Sequence, residues 1–505
     1  MSKASAITSE AAVTLKNLSA VILLKAAQYP FLMLAMVLIP RMMGPETYGK
    51  YALLISVITI ADSLNYLGVG EIFGRFVPEF QVYKDSEGIV RLSSSFLAFK
   101  TVTSLILSVF LFAILYAVYG SRFPIHHLLL TTAIVLVREA QSVPYALLFG
   151  LNELTKYTLP DPIRRIISLA FITVLFHFWG LVGAIVSALL VESTLTIILI
   201  SWTRRYFYLK YSKINISYLW PYLKFGLMFY ISWALLNIWQ RLSNSLIEYI
   251  TKNSVNVAIF DISNQIFLIL TAFTLAITSA MIPVFTTLLL TNREDKLIQW
   301  STMVMKYIAI TWSMILLVYG LIGHDLIILL IGQSYHGVFA NGILLILAAF
   351  PMAIAQLGAT LAVVYQKPQR YIASLMMAIG SFTTSSLALV PKYASMGSSA
   401  AILISCIVIA VLIGIFFRDQ LSRSLVDGFK AIALGAIFVP ILWLRGEASV
   451  NSLLAILSWS LYVVLLFVTR ILNPHEIQEI FQTIVHLPQP SRPSQALQTD
   501  ASERA

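Results

Sequence analysis

Residues 44–80 read GPETYGKYALLISVITIADSLNYLGVGEIFGRFVPEF. A polar turn opens this stretch, an apolar helix long enough to cross a bilayer follows, and Arg75 and Glu79 close it. Asp62 and Asn65 lie inside the apolar run, three residues apart and therefore on one helical face. Because a carboxylate at bilayer depth is costly when it faces lipid, the pattern predicts a polar cavity inside a membrane helix bundle.

The composition of the whole chain is that of a polytopic membrane protein. Of its 505 residues, 59% are hydrophobic and 11% are charged, whereas soluble domains carry roughly a quarter charged residues. The 34 basic residues exceed the 23 acidic ones, but they fall in short loops between apolar runs, as membrane topology requires, so no nucleic-acid partner is predicted. Cys406 is the only cysteine, which excludes a disulfide framework or a cysteine metal site within one chain.

Apolar runs of about 20 residues predict about fourteen transmembrane helices in an all-α fold. They lie near residues 17–42, 50–75, 96–120, 127–150, 157–179, 181–203, 223–249, 256–290, 299–322, 338–365, 370–391, 396–417, 430–446 and 451–470. The first span is predicted to be retained, because the segment before it is longer than the start of a signal peptide. The excess of Lys and Arg on one side of these spans predicts a multi-pass protein of the plasma (inner) membrane with both termini in the cytoplasm.

A weak internal repeat divides the chain. Residues 254–290 also leave an outside turn, enter a long apolar run and end near a proline, 209 residues after the opening stretch, which is about six helices. The segment after the first bundle is basic and aromatic, typical of a helix on the inner leaflet, with a plain anchor as the alternative. The predicted units are an N-terminal six-helix bundle (1–203), a cytoplasmic interfacial linker (204–222), a second six-helix bundle (223–417), two extra helices (418–470) and a cytoplasmic tail (471–505), disordered after 487.

The opening stretch resembles that of the polysaccharide or oligosaccharide flippases (Wzx-like) of the multidrug/oligosaccharidyl-lipid/polysaccharide exporter superfamily. Their first hairpin typically reads LGPxxYGxYA, followed by a helix with a mid-span glycine and an arginine near its end. Here residues 43–52 read MGPETYGKYA, and Leu67-Gly68 and Arg75 follow. The DR pair and VGxY segment of that family are replaced by Gln240-Arg241 and by VAIF at 257–260.

The resemblance implies a V-shaped pair of six-helix bundles around a central cavity that opens alternately to the two sides. It also implies transport, without a cofactor, of a polyprenyl-diphosphate-linked oligosaccharide from the inner to the outer leaflet. Candidate partners are membrane lipids, H⁺ or Na⁺ as coupling ions, and glycan polymerase or assembly proteins. A drug or lipid-precursor exporter of the same superfamily is the alternative, and a membrane glycan polymerase or ligase a third reading. The third is disfavoured because the longest predicted outside segment, 323–337, is short and apolar.

Basic residues within the spans are candidates for holding a diphosphate, since guanidinium groups bind phosphate oxygens in pairs. The substrate-binding prediction comprises these residues and their polar helical neighbours: Arg138, Lys25, Arg241, Gln141 and Asn244. Lys25 and Arg241 lie near enough to an interface to extend toward water instead. The alternative for Arg138 is a structural ion pair with an acid from another helix, with Glu192 as the candidate.

Acidic residues within the spans are candidates for ion coupling, because a buried carboxylate changes charge when it binds a proton or a sodium ion. Asp62 with Asn65 is the preferred candidate, and Asp261 is a second that could simply be solvated near the outer interface. Glu139 and Glu192 are interpreted as partners that neutralise the basic residues of the cavity. Enzyme motifs such as HExxH, GxSxG or a Walker loop do not occur in the sequence, so an enzyme is not predicted.

Overall fold

Long helices account for most of the structure. The computed structural model describes residues 3–208, 215–437, 448–469 and 471. Its helices are α1 (Lys3–Asn65), α2 (Val69–Val82), α3 (Ser86–Tyr119), α4 (Ile125–Gly150), α5 (Leu154–Thr158), α6 (Pro160–Thr203), α7 (Ile216–Thr251), α8 (Ser254–Ala280), α9 (Ile282–Leu290), α10 (Glu294–Leu330), α11 (Gly337–Val364), α12 (Pro368–Phe416), α13 (Arg418–Ala436) and α14 (Ala448–Val468). Within those ranges there is no strand, and the predicted all-α fold is confirmed.

Three of the longest helices are interrupted by one residue with left-handed backbone geometry. The interruptions are at Gly44 (φ 71°), Gly180 (φ 55°) and Ala394 (φ 49°). At Gly180 the chain turns back tightly, since a Cβ atom on Gly183 would lie 1.9 Å from the carbonyl oxygen of Leu175. α6 is therefore a helical hairpin, and the turn predicted at 179–182 is confirmed.

The number of membrane spans follows from these breaks. In the described residues seven helices are long and apolar enough to cross a membrane, and two bent pairs raise the number to nine. Dividing α1, α6 and α12 at their interruptions and adding α4 and α13, which are less apolar than these spans, gives fourteen helical segments in the described residues, the predicted number. Several bounds differ from the prediction: α3 begins at Ser86 rather than at 96, and α13 covers Arg418–Ala436 rather than 430–446. The run 256–290 breaks at Met281, one residue before Ile282 and Pro283 open α9, and α7 begins at Ile216 rather than at 223.

The helices pack in two groups joined by α1, α7 and α8. Helices α3 to α6 pack with α1, and α2 packs with α3 and α4. Helices α10 to α13 pack with one another, and α10 to α12 also contact α8. The first part of α7 belongs to the first group, because Leu219 and Leu223 are buried in an apolar cluster with Ile72 and Phe96. The rest of α7 contacts α1, α8 and α12. α14 lies against α10 and α13.

Turns at the two ends of the bundle give the molecule two sides. The end with the turns at Gly44, Gly180 and Ala394 is here named the Gly44 side, and the end with the turns at Asn152 and Asn292 is named the Asn152 side. Parts of three predicted features lie outside the described residues: the linker from 209 to 214, the predicted span 430–446 from residue 438 onward, and the tail except residue 471. The predicted domain boundaries stay predictions.

Candidate functional site

A charged cavity lies where α1, α4, α6 and α7 meet. Its volume is about 160 Å³, below the roughly 300–1,000 Å³ of an ordinary ligand pocket. The side chains that line it are mostly ionic, polar or aromatic: Asp62, Tyr66, Arg138, Glu139, Gln141, Ser142, Tyr145, Arg164 and Trp233. The cavity therefore contains two of the predicted substrate-binding residues, Arg138 and Gln141, and one predicted ion-coupling residue, Asp62.

Arg138 both pairs with carboxylates and lines the cavity. Its Nη1 lies 2.9 Å from Oδ2 of Asp62, and its Nε lies 3.6 Å from Oε1 of Glu192. The pair with Glu192 was the structural alternative, yet the side chain also lines the cavity and is 30% exposed. A guanidinium group has five N–H donors, so two carboxylate partners leave donors for a further anion.

Arg164 brings a second guanidinium group to the same cavity. Its Nη2 donates to Oε1 of Gln141 at 3.0 Å and to Oε2 of Glu192 at 3.3 Å. Gln141 in turn donates from Nε2 to Oε2 of Glu192 at 2.9 Å. The sequence interpretation missed Arg164, because it lies near the end of a predicted span and was counted with the cytoplasmic loop charges. Pro160 and Pro162 open α6 and place Arg164 within its first two turns.

A second ion pair lies beside the cavity and is fully buried. Lys100 and Glu139 form it, with side chains 1% and 4% exposed. Lys100 also donates to the backbone carbonyl of Asn65, whose Nδ2 donates to Oγ of Ser104 at 3.0 Å. Asn65, predicted to act with Asp62 in ion coupling, thus contacts the Lys100 pair, whereas Asp62 contacts Arg138. Lys100 was also missed, for the same reason as Arg164.

The charges of this cluster cancel. We name six of its ionic side chains the neutral cluster: Asp62, Glu139 and Glu192 with Lys100, Arg138 and Arg164. Asp161 lies 3.7 Å from Arg164 but is 43% exposed, so water screens its charge and it is not counted. A dry site keeps charged groups only when each is paired, since an isolated charge costs several kcal/mol. An anion that enters the cavity must therefore compete with Asp62 and Glu192 for the two guanidinium groups.

The other predicted site residues form a separate cluster toward the Gly44 side. Tyr48 donates from its hydroxyl to Oδ2 of Asp261 at 2.8 Å, and Asn244 donates from Nδ2 to Oδ1 of Asp261 at 2.8 Å and to Oγ of Ser56 at 2.7 Å. Nη1 of Arg241 lies 3.8 Å from Oδ1 of Asp261. We name these five residues the Gly44-side cluster. Asp261 is 4% exposed, so the expectation that it could be solvated is wrong.

The Gly44-side cluster joins the two groups of helices. Tyr48 and Ser56 lie on α1, whereas Asn244 and Asp261 lie on α7 and α8. Gly49 allows the close approach, because a Cβ atom there would lie 1.7 Å from the carbonyl oxygen of Ser254 on α8. At the same side Arg122 forms an ion pair with Glu248 of α7. Lys25 is the remaining predicted substrate-binding residue, and its side chain is not among those that the structure describes.

A larger cavity is chemically different. It has a volume of about 520 Å³ and lies among α10, α11, α12 and α13, with walls that include Trp312, Phe350, Leu403 and Phe429. Almost all of its surface is apolar, so it can contact hydrocarbon but offers an anionic headgroup no partner. The ionic chemistry of the described residues is therefore concentrated in the two clusters above.

The fold is similar to that of known membrane transporters. The structure resembles the lipid II flippase MurJ in an inward closed conformation, with a TM-score of 0.68 and 12% identity over 89% of this chain and 100% of that chain. It also resembles a multidrug resistance MATE family transporter of the MOP superfamily in an inward-facing conformation (TM-score 0.63, 15% identity, 79% of this chain and 95% of that chain). For an outward-facing conformation of a multidrug resistance MATE family transporter the TM-score is 0.53, with 15% identity over 80% of this chain and 94% of that chain. The chain thus has the polytopic helical fold that these solved structures share.

The amino-acid sequence identifies the family to which the protein belongs. Residues 14–289, more than half of the chain, match the polysaccharide biosynthesis protein family, and the protein belongs to it. No curated protein sequence matches the chain. The structural neighbours are a flippase and a transporter, and the family match confirms the resemblance that the opening stretch indicated.

Proposed function

We propose that the protein is a flippase that moves polyprenyl-diphosphate-linked oligosaccharide from the cytoplasmic to the outer leaflet. The observation that carries the proposal is the neutral cluster around a cavity at the meeting of α1, α4, α6 and α7. Transfer of a diphosphate through hydrocarbon needs cationic partners, and guanidinium groups hold phosphate oxygens bidentately. Membership of a polysaccharide biosynthesis family and a fold similar to that of a lipid II flippase support the same class of substrate.

Substrate binding in this proposal is an exchange of anions. The phosphate oxygens take the places of Asp62 and Glu192 around Arg138 and Arg164. Because Arg138 and Arg164 face the cavity and are 30% and 24% exposed, they are accessible to an entering headgroup. A displaced carboxylate in a dry site is stabilised by taking up a proton or a sodium ion, which is the part that Asp62 would play in ion coupling.

The two sides of the molecule give the direction of access. With both termini in the cytoplasm, as the Lys and Arg bias predicts, the Gly44 side faces outward. The hydrogen bonds of Asp261 and Asn244 to α1 then hold the outer side closed, and Arg241 supports that closure rather than contacting the headgroup. The higher TM-score with the inward-facing than with the outward-facing transporter supports a cavity reached from the cytoplasm.

The charge balance of the site indicates how the membrane potential would act. An empty neutral cluster carries no net charge back across the membrane, whereas a loaded one carries the negative charge of the diphosphate outward. An inside-negative potential favours that movement by about 2.3 kcal/mol per charge at 100 mV. Proton or sodium uptake by the displaced carboxylates would reduce the charge moved, so the two driving forces give different voltage dependences.

The test compares Arg138→Gln with the charge-balanced double variant Asp62→Asn/Arg138→Gln. We expect both to lose transfer of a fluorescent lipid-linked sugar between the leaflets of reconstituted vesicles, and to lose surface glycan in cells that depend on this protein. The double variant leaves no unpaired carboxylate at Asp62, so its loss reports on the transport roles proposed for Arg138 and Asp62 rather than on stability. Arg138→Lys keeps the charge and should keep partial transfer if bidentate geometry is not required.

The exposed Lys392 on the Gly44 side provides a matched control, and Lys392→Gln should transfer lipid normally. Normal transfer by the double variant, in protein that is inserted and folded, would refute the role of Arg138. Drug efflux without movement of the lipid-linked sugar would identify the drug-exporter alternative instead. Glycan polymerase or assembly proteins would be the partners that receive the flipped product.

A further inference from the structure

The neutral cluster occupies only part of the cavity wall. The remaining lining includes three aromatic side chains, Tyr66, Tyr145 and Trp233. A hydrocarbon tail needs only aliphatic partners and a phosphate gains nothing from the face of an aromatic ring, which is electron-rich and repels anions. The aromatic side chains therefore indicate a third kind of ligand group next to the phosphates.

Trp233 reaches the cavity from α7, whereas the ionic residues lie on α1, α3, α4 and α6. Its ring centroid lies 4.4 Å from that of Tyr66, at an interplanar angle of 38°. Nearby on α7, Tyr230 donates a hydrogen bond to the carbonyl oxygen of Leu64 at 2.7 Å. These contacts fix the indole beside the break between α1 and α2, yet 39% of Trp233 remains exposed. One part of the ring is held, and another part is free to contact a ligand.

The polar groups beside the rings match the other requirement of a sugar. A pyranose ring has a face of C–H groups, which pack on an aromatic face because their hydrogens carry partial positive charge. Its hydroxyl groups need donors and acceptors at the edge. The hydroxyl of Tyr145 is buried without a hydrogen-bond partner within the described structure, and Gln141 and Ser142 line the same cavity.

We propose that Trp233 and Tyr66 form the platform for the first sugar of the substrate, the one attached to the diphosphate, and that the Tyr145 hydroxyl binds one of its hydroxyl groups. This inference rests on the proposed function, since it places the diphosphate on Arg138 and Arg164. It makes Trp233 a residue that determines specificity for glycosylated over bare lipid. It also makes the sugar a contact between α7 and the helices that carry the ionic residues, because Trp233 lies on α7.

The experiment measures the affinity of purified protein in nanodiscs for two kinds of probe. One probe is bare polyprenyl diphosphate. The other is the same lipid carrying a single sugar, chosen as whichever of glucose, galactose and N-acetylglucosamine gives the tightest binding to the unmodified protein. We expect Trp233→Ala to weaken the glycosylated probe about fivefold, the effect of one aromatic contact, and to leave the bare diphosphate unchanged. Trp233→Phe should retain most of the affinity, and Arg138→Gln should weaken both probes.

Trp220→Ala is the matched control, because Trp220 lies on the same helix and is exposed away from the cavity. Equal loss of both probes in Trp233→Ala, or no loss of the glycosylated one, would overturn the inference while leaving the proposed function intact. Failure of the unmodified protein to bind either probe, or full affinity in Arg138→Gln, would overturn the proposed function itself.

Discussion

Replacement of Gly49 by alanine should open the Gly44 side of the protein. The added Cβ atom would lie 1.7 Å from the carbonyl oxygen of Ser254, whereas real Cβ contacts stay above 3.0 Å, so α1 and α8 must separate by at least 1.3 Å there. Both atoms near the clash belong to the α8 backbone, which cannot rotate away as a side chain does. The hydrogen bond from Tyr48 to Asp261 crosses this contact between α1 and α8, and the hydrogen bond from Asn244 to Ser56 joins α1 to the neighbouring α7.

The magnitude follows from those two hydrogen bonds. A hydrogen bond to a charged acceptor contributes about 1.5–3 kcal/mol and a neutral one about 0.5–1.5 kcal/mol. Their loss would weaken the closed Gly44 side by about 2–4.5 kcal/mol, a change of at least about 25-fold in the equilibrium between closed and open forms.

Pulsed electron paramagnetic resonance can measure this change. Cysteines introduced at Ile125 on α4 and Tyr393 on α12, both exposed at the Gly44 side, would carry the spin labels. The one native cysteine, Cys406, is buried and should stay unlabelled. We expect Gly49→Ala to add a longer label-to-label distance. Gly380→Ala, where nothing lies within 4 Å of the new Cβ atom, is the control.

An unchanged distance distribution in folded Gly49→Ala protein would refute the reasoning. Should the alanine variant fail to fold, Tyr48→Phe gives a second test, because it removes the hydrogen bond to Asp261 without adding an atom. That variant should also populate the longer distance, to a smaller extent, since the hydrogen bond between Asn244 and Ser56 remains.

Two further predictions concern stability, measured as thermal unfolding in detergent. Lys100→Met should destabilise the protein by about 3–5 kcal/mol, because it leaves Glu139 buried and unpaired. The double variant Lys100→Met/Glu139→Gln should recover most of that loss. Equal destabilisation by the single and the double variant would contradict the prediction. Gly68→Ala should lower the stability of the protein by about 1–2 kcal/mol from the left-handed backbone alone. The loss should be larger still, because the new Cβ atom would lie 2.3 Å from the carbonyl oxygen of Gly226. Gly380→Ala is again the neutral comparison.

The helical part of the fold could be predicted well from the sequence, because the thickness of the bilayer sets the length of each apolar run. The turn at Gly180 was predicted since the apolar run on either side is too long for one span. The break at Leu67 and Gly68 was not predicted as a break, although the two residues were noticed. Both have left-handed backbone geometry, with φ of 53° and 71°, and only Gly68 gave a compositional signal of it.

The candidate site was predicted in part, for a similar reason. Arg138, Glu192 and Asp62 were found because charges are rare inside apolar runs and are therefore conspicuous. Lys100 was missed because α3 begins at Ser86, well before the predicted start at 96, so a residue counted near a loop lies deep in a helix. Sequence periodicity assigns a face to each helix but does not say which helices pack together.

The same limit explains why Asp261, Asn244 and Arg241 were assigned to two different roles. The spacing of these residues in the sequence predicted the helix on which each lies and its depth in the membrane, but not the residue that it contacts on another helix. The structure brings them together because α1 packs against both helices and approaches the α8 backbone closely at Gly49. A glycine in an apolar helix is the one sequence signal of such an approach, and by itself it does not identify the partner helix.

One helix connects the two clusters, and this connection has a mechanical consequence. The second half of α1 carries Tyr48 at the Gly44 side and Asp62 at the cavity, about 21 Å apart along a continuous helix of 1.5 Å rise per residue. A helix transmits a tilt over that distance because its backbone hydrogen bonds resist bending. A movement that separates Tyr48 from Asp261 therefore changes the 2.9 Å contact between Asp62 and Arg138, unless α4 moves with α1. Conversely, a phosphate that replaces Asp62 at Arg138 removes one of the interactions that fix the position of α1. The state of the cavity and the closure of the Gly44 side are thus linked through the position of one rigid element, without a need for any longer chain of side-chain contacts.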